Sequence, residues 1–477
     1  MNRLFYLFIG LLGWMSLSAQ SGYQIDVQID GFEQQEIYLG HYLMDKQYLS
    51  DTAYLENGHF VFQGEEPLNP GMYLVVMPPE NRFFQVLINE GEQNFSMHVK
   101  DVNEVTNGLK IEGSPDNQLF YDYLAYLRDQ RPEADALRQQ ISETKDAKKL
   151  EKLNERMDKL NLDVRTYQDD LITNHPKSIT AAIIRVNLPL EQPDYNNLDS
   201  LERQKAVWYY NKQHYFDAID LGDPRMVRTP FLFQRVDGYL QKMTYQHPDS
   251  LAESLGIFLD LMKPSEETFK YYLVHYLNEY AGSKIVGFDA VYVALVERYY
   301  MTGQATWTEE EQLEKIIDNA KRLKPLLIGK TAPNIEMETQ GKEKIWLHDF
   351  ESPYTVLFFW DPGCGHCKKS MPDMVKFYEA YKDRGVEVFA VCTKLYNELD
   401  ECWDYIDEKG IGIWLNTVDP YHRSRYKTIY DIRSTPQVYI LDHKKEILSK
   451  RVGAEQLPEV MEKILERFGE PEEELRR

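Results

Sequence analysis

Cysteine is scarce. The 477 residues hold four, Cys364, Cys367, Cys392 and Cys402, all in the last third of the chain. A secreted chain braced by disulfides would spread them through its domains. That design is excluded for the first two thirds, and the thiols read as reagents rather than braces. Positive charge is also in deficit, with 54 Lys and Arg against 77 Asp and Glu, a formal charge of −23. Binding to a phosphate backbone needs a basic surface, and electrostatic docking on anionic lipid needs one too. Nucleic acid is therefore excluded as a partner, and the acidity reads as a solubilising surface. Metal ligation lacks its raw material. Structural zinc takes four ligands, whereas one close Cys pair is present and the eleven histidines show no ligand-like spacing near it. No metal and no cofactor is expected.

Long apolar runs are absent except at the start. Met1-Asn2-Arg3 is a short basic opening, Leu4 to Leu17 is apolar apart from glycines and Ser16, and Ser18-Ala19-Gln20 offers small residues for cleavage. This is the pattern of a secretory signal peptide over residues 1–20, and it places the mature chain in the periplasm. The stretch is short against the roughly 20 residues of a bilayer span, which leaves an uncleaved anchor as the alternative.

The length suggests about three domains at ~150 residues each. Residues 22–115 read as an antiparallel β domain, sandwich-like or barrel-like. Ile25, Val27 and Ile29 alternate with polar residues, and Asn57-Gly58 between two apolar-alternating runs is a strong hairpin signal. No catalytic constellation occurs there, which favours a docking or scaffolding module. Residues 116–326 read as an all-α middle domain. Leu150, Leu153, Met157, Leu160, Val164, Tyr167 and Leu171 form a 3-4-3-4 seam on a charged helix. That seam predicts a helical hairpin within the chain, with a dimer through Leu150–Leu171 as the alternative. Thr229-Pro230 predicts a helix start, and Ser250 with Glu253 and Thr308 with Glu311 predict capping boxes. The dense aromatics Trp208 to Tyr210, Tyr271, Tyr272, Tyr276, Tyr280, Tyr299 and Tyr300 read as core packing, or as a groove for a polypeptide. Residues 327–470 alternate strand and helix signals and read as α/β. A charged tail, 471–477, closes the chain.

The chemistry concentrates at Cys364-Gly365-His366-Cys367, directly after the apolar run Thr355–Trp360 and at the start of a predicted helix. A thiolate, not a thiol, attacks disulfides. A Cys in a C-x-x-C at a helix N-terminus falls from ~8.5 to roughly 3.5–7.5, because unpaired amides and the helix dipole stabilise the anion. Cys364 is thus expected to attack, and Cys367, one turn further in, to resolve the mixed disulfide. His366, when protonated, and Lys368 and Lys369 add positive charge. Cys392 and Cys402 are expected to be buried, inert thiols, with a second redox pair as the alternative.

This region resembles the thioredoxin superfamily, and within it the periplasmic TlpA/ResA-type thiol–disulfide oxidoreductases. The matching features are the strand Val356–Trp360 leading into the pair, Pro372 eight residues after Cys364, Thr435-Pro436 before the strand Gln437–Leu441, and the longer stretch from Cys392 to Asp419. The resemblance implies a thioredoxin-like α/β fold, a cis Pro436, and a Thr435 backbone that pairs with an extended substrate strand. It implies a protein thiol or disulfide as substrate and a membrane or periplasmic redox partner. Phe358 stands where thioredoxins have a buried acid, and Ser370 where ResA-like proteins have a glutamate, so the proton acceptor for Cys367 is open among Asp361, a water and another domain. The front domains, with Glu112-Gly113-Ser114-Pro115-Asp116-Asn117 and Arg228-Thr229-Pro230, are similar to uncharacterised domains found ahead of thioredoxin-like ones. The expectation is a periplasmic thiol–disulfide oxidoreductase. Two alternatives are a binding or assembly protein with a passenger thiol domain and a thiol peroxidase; the latter meets Asp361 where such enzymes place a threonine.

Overall fold

A computed structural model describes residues 22–106 and 108–470. The proposed signal segment and residues 471–477 lie outside the described residues. The chain divides into two compact units. The first holds the chain up to Met243 with Leu261–Phe269, and the second holds Thr244–Asp260 and the chain from Lys270 onward. Among the described residues, no helix is long and apolar enough to cross a membrane.

In the first unit, eight strands precede the helices: β1 (Tyr23–Ile29), β2 (Glu36–Leu43), β3 (Lys46–Glu56), β4 (His59–Gly64), β5 (Gly71–Met77), β6 (Arg82–Ile88), β7 (Asn94–Val99) and β8 (Lys110–Glu112). The period-2 pattern does what it predicts, burying Ile25, Val27 and Ile29. Asn57 and Gly58 both take positive φ, 52° and 86°, and close β3 on β4 with Glu56 opposite His59. This is the geometry that a two-residue hairpin turn demands. The strands form one hydrogen-bonded series, β6-β5-β2-β3-β4-β1-β7-β8, antiparallel except for the parallel β1–β7 pair. The long β3 belongs to both halves of this series.

Five helices follow in this unit: α1 (Pro115–Glu143), α2 (Ala147–Asn174), α3 (Ile179–Asn187), α4 (Ser200–Gln213) and α5 (Pro230–Lys242). The heptad seam of α2 is taken up by α1. Leu153 and Leu160 pack with Leu137, Leu171 packs with Tyr123, and Tyr126 stacks on Tyr167 at 3.9 Å. The pairing is an antiparallel hairpin within one chain. Thr229 is the N-cap of α5, with Pro230 in its first turn.

Helices α6 (Pro248–Met262), α7 (Glu266–Ala281), α8 (Asp289–Leu295) and α9 (Glu310–Leu323) continue the chain. Two expected capping boxes are not the helix starts. Proline, suited to a first helical position, begins α6 at Pro248, which puts Ser250 inside the helix. The Thr308 N–H closes a turn onto Ala305 O, and Glu309 becomes the N-cap of α9. Tyr272, Tyr276, Tyr280, Tyr299 and Tyr300 are buried core residues. Trp208 and Tyr210 are only partly buried and Tyr209 is exposed, on α4, which has no fully buried residue.

The C-terminal region is a seven-stranded sheet, built from β9 (Glu336–Glu338), β10 (Lys344–Trp346), β11 (Tyr354–Trp360), β12 (Val386–Cys392), β13 (Leu415–Val418), β14 (Gln437–Asp442) and β15 (Ile447–Lys450). Its order is β10-β9-β13-β12-β11-β14-β15. Helices α10 (Gly365–Tyr381), α11 (Leu399–Lys409), α12 (Tyr426–Ile429) and α13 (Leu457–Phe468) accompany it. All seven residues of β11 are buried. Val356, Phe358 and Trp360 enter the core that includes residues of α10, α11 and α13, and Leu357 and Phe359 enter the opposite core with Tyr426. A strand covered on both faces reads as an unbroken apolar run, which explains the sequence Val356–Trp360.

Candidate active site

Two register choices assemble the site. β11 runs parallel to β12, so Trp360 pairs with Cys392. It runs antiparallel to β14, so Phe359 pairs with Gln437. The loop leaving β11 and the loop entering β14 therefore meet at one edge of the sheet, with Cys364 in the first and Thr435-Pro436 in the second. The Thr435–Pro436 peptide is cis, as the resemblance implied.

Cys364 is the N-cap residue of α10, and Cys367 lies in its first turn. Both are free thiols, Cys364 partly exposed and Cys367 buried. Protonated, Cys364 Sγ donates to Thr435 O at 3.2 Å. Partial burial pushes the Cys364 thiol up, but hydrogen bonds from the backbone of Cys367, the Thr435 hydroxyl, the Cys367 thiol and the backbone of His366 outweigh it and hold the group below its ordinary value. Burial pushes Cys367 up to about 11, despite the Thr435 hydroxyl and the Asp361 backbone. Two adjacent thiols are thus driven apart: the outer one is the readier thiolate and the inner one is a proton donor to it.

His366 has an exposed side chain, and it is its main chain that supports the Cys364 anion. The carboxylate of Asp361, one candidate proton acceptor for Cys367, is engaged elsewhere. Its Oδ1 accepts the Gly363 N–H at 2.6 Å and faces Lys394 Nζ at 4.0 Å, and its Oδ2 lies 3.5 Å from Thr393 Oγ1. Lys394 in turn meets Glu401 at 2.8 Å and Glu398 at 3.7 Å. Asp361 therefore ties down the turn before Cys364. Phe358 is fully buried in the core beneath.

Cys392 and Cys402 correct the expectation of inert thiols. They form a disulfide between the end of β12 and the first turn of α11, with Cα atoms 6.4 Å apart, within disulfide range. Both are buried in the core cluster that contains Cys367. Sequence alone does not orient the first turn of α11 over the last residue of β12, so the pairing stood there only as the alternative. The Thr435 hydroxyl and the Lys394 hub were also missed. Glu398 and Glu401, four and seven residues after Lys394, were the available signal for the hub. Among the described residues, no cluster of three or more His, Cys, Asp or Glu side chains could hold a metal ion.

Comparison with known proteins agrees with this geometry. Residues 328–449 match the AhpC/TSA family. Residues 23–120 match a domain of unknown function, DUF4369, and residues 175–323 a second, DUF5106. The thiol-disulfide oxidoreductase ResA of Bacillus thuringiensis subsp. konkukian is 36% identical over 88 residues, 18% of this chain and 43% of the relative. ResA of Bacillus cereus (strain ATCC 10987 / NRS 248) is 42% identical over 64 residues, 13% of this chain and 37% of the relative. The chain thus spans about two fifths of the length of each. ResA of Halalkalibacterium halodurans is 29% identical over 149 residues, 30% of this chain and 75% of the relative. A solved domain of a possible thiol-disulfide isomerase from Cytophaga hutchinsonii is 36% identical, with a TM-score of 0.29, covering 30% of this chain and 97% of the domain. With a sheet, a C-x-x-C helix cap and a proline loop arranged as above, the C-terminal region of this chain is a thioredoxin-like domain that matches the AhpC/TSA family and is similar to ResA proteins, behind two domains of unknown function.

Proposed function

We propose that the protein is a periplasmic thiol–disulfide oxidoreductase that exchanges disulfides with polypeptide clients through Cys364 and Cys367. The placement of the two sulfurs carries the reading: Cys364 lies partly exposed at the N-cap of α10, 3.2 Å from Thr435 O, and Cys367 lies buried in the first turn behind it. The Cys364 thiolate attacks a client disulfide, forms a mixed disulfide and expels one client thiolate. Capping Cys364 removes its charge and its hydrogen bond, both of which raise Cys367. Cys367 then gives up its proton and attacks the Cys364 sulfur. The second client sulfur leaves and takes a proton. The client gains two electrons, and the protein is left with a Cys364–Cys367 disulfide for a membrane or periplasmic redox partner to reduce. The reverse sequence oxidises a client, and the surroundings set the direction. The ResA-like relatives and the apolar N-terminal stretch support an extracytoplasmic site of action.

The test is reduction of insulin or a disulfide-bonded peptide by the reduced protein. Wild type should outpace Cys364→Ala by orders of magnitude; equal rates would defeat the proposal. The AhpC/TSA match adds a peroxide arm to the assay. Turnover of hydrogen peroxide without turnover of disulfides would favour a thiol peroxidase instead. A Cys364→Ser, Cys367→Ser variant that still supports growth where the protein is needed would favour the passenger view.

A further inference from the structure

Lys394 is held in where a loop lysine would ordinarily extend its head into water. Its side chain is 14% exposed and stands among three carboxylates: Glu401 at 2.8 Å, Glu398 at 3.7 Å and Asp361 at 4.0 Å. The β11–β12 register brings it there. Trp360 pairs with Cys392, and the Thr393 N–H continues the ladder onto Trp360 O at 2.9 Å. Lys394 is therefore laid beside the turn that leaves β11, and a Cβ on Gly363 would lie 3.8 Å from its Nζ. The disulfide holds both partners of the closest ion pair, since Lys394 follows shortly after Cys392 and Cys402 directly follows Glu401.

Asp361 joins this lysine to the two working sulfurs. Its carbonyl accepts the Cys364 N–H at 3.1 Å, its carboxylate accepts the Gly363 N–H at 2.6 Å, and its backbone meets the Cys367 sulfur. Glu398 and Glu401 face Lys394 from the entry to α11, and the Tyr426 phenol faces Asp361 from α12. Cys367 faces Cys364 from α10, while His366, Lys368 and Lys369 of that helix are exposed. Without the ammonium, three carboxylates would stand unopposed next to the turn, and a thiolate at Cys364 would form against their field.

We propose that Lys394 is a positioning residue for disulfide exchange: it holds the Asp361 carboxylate on the Gly363 N–H and cancels the charge that would otherwise oppose the Cys364 thiolate. The inference rests on the exchange reading above and adds a residue to the same site. Lys394 touches neither sulfur and acts through Asp361 alone.

The test is alkylation of Cys364 by iodoacetamide across pH in the full chain, read on the Cys364 peptide by mass spectrometry. Lys394→Met should raise the titration midpoint by about half a pH unit or more, the size expected when one charge near a partly exposed group is lost. Lys394→Arg keeps the charge and should restore most of that shift. Lys394→Met with Asp361→Asn should also return most of the way, because asparagine drops the charge yet keeps an oxygen for the Gly363 N–H. An unmoved midpoint in Lys394→Met would overturn the inference. So would a shift that Asp361→Asn leaves in place, which is the result of a merely loosened loop. Hydrogen exchange over α10 and α11 checks that Lys394→Met is folded. If it is not, Asp361→Asn alone decides: its midpoint should fall, and one at or above wild type overturns the inference. Alkylation needs no client. Absence of exchange between wild type and bis(2-hydroxyethyl) disulfide would therefore strike the exchange reading, and this inference with it, separately from any midpoint.

Discussion

The Cys392–Cys402 disulfide ties α11 to the sheet, and its contribution can be worked from the loop it closes. The two residues are ten apart in sequence. The chain-entropy relation for a loop of that size gives about 9 cal/mol/K, or about 3 kcal/mol at 25 °C. Both cysteines are buried, so Cys392→Ala with Cys402→Ala leaves small apolar side chains where sulfur stood and adds little polar cost. The perturbation should act locally, on the segment that includes Lys394, Glu398 and Glu401. Hydrogen exchange read by mass spectrometry is the suitable assay, because a chain of several units does not unfold in one step. Amides of α11 should lose about a hundredfold of protection, the equivalent of about 3 kcal/mol, while amides of α1 and α2 stay unchanged. Protection of α11 within threefold of wild type would refute the idea that this covalent link holds the helix.

Four further outcomes are expected. Alkylation of Cys364 should follow a thiolate titration centred below the ordinary thiol value, and the reactivity should be lost as pH falls through that midpoint; a midpoint at or above the ordinary value would contradict the site geometry. Thr435→Val removes a hydroxyl that favours both thiolates, so the Cys364 midpoint should move up in the same assay. Burial lowers Lys445 to about 8. The folded state then binds fewer protons than the unfolded between about pH 8 and 10.5, so this group's contribution to stability rises with pH across that window. The temperature of the unfolding step that involves the C-terminal region should climb in wild type relative to Lys445→Met there, and a pH-independent gap would exclude it. Leu160→Ala in the α1–α2 hairpin should cost about 2–4 kcal/mol, seen as faster exchange in both helices.

The parts of the fold visible in sequence were those set by local pattern. Alternation in β1, the Asn57-Gly58 turn and the unbroken apolar β11 each follow from one strand's own burial. The C-x-x-C pair was legible because its spacing and its place after a strand are local facts. What stayed hidden or undecided depends on register between distant elements. Cys402 meets Cys392 only because α11 returns over the end of β12, and Lys394 reaches Asp361 only because β12 lies beside β11. The helix starts at Pro248 and Glu310 were misread for a related reason. Several polar residues near each start can cap, and turns outside the helix decide which one does. Trp208 to Tyr210 show the limit of composition, since a dense aromatic run lies on a helix that has no fully buried residue.

Placing all four sulfurs within one region also affects how the molecule matures. Four cysteines allow three pairings, and two of those would join a reactive sulfur to Cys392 or Cys402. Such isomers would lock the α10 segment to β12 or α11 and consume both working thiols. The native arrangement has a kinetic advantage, because its partners are only ten residues apart and short loops close readily. The interior then encloses that link while Cys364 remains reachable. A cell making this protein in an oxidising compartment would therefore benefit from an isomerase that rescues scrambled chains, and the fraction carrying the wrong linkage would rise where such help is missing.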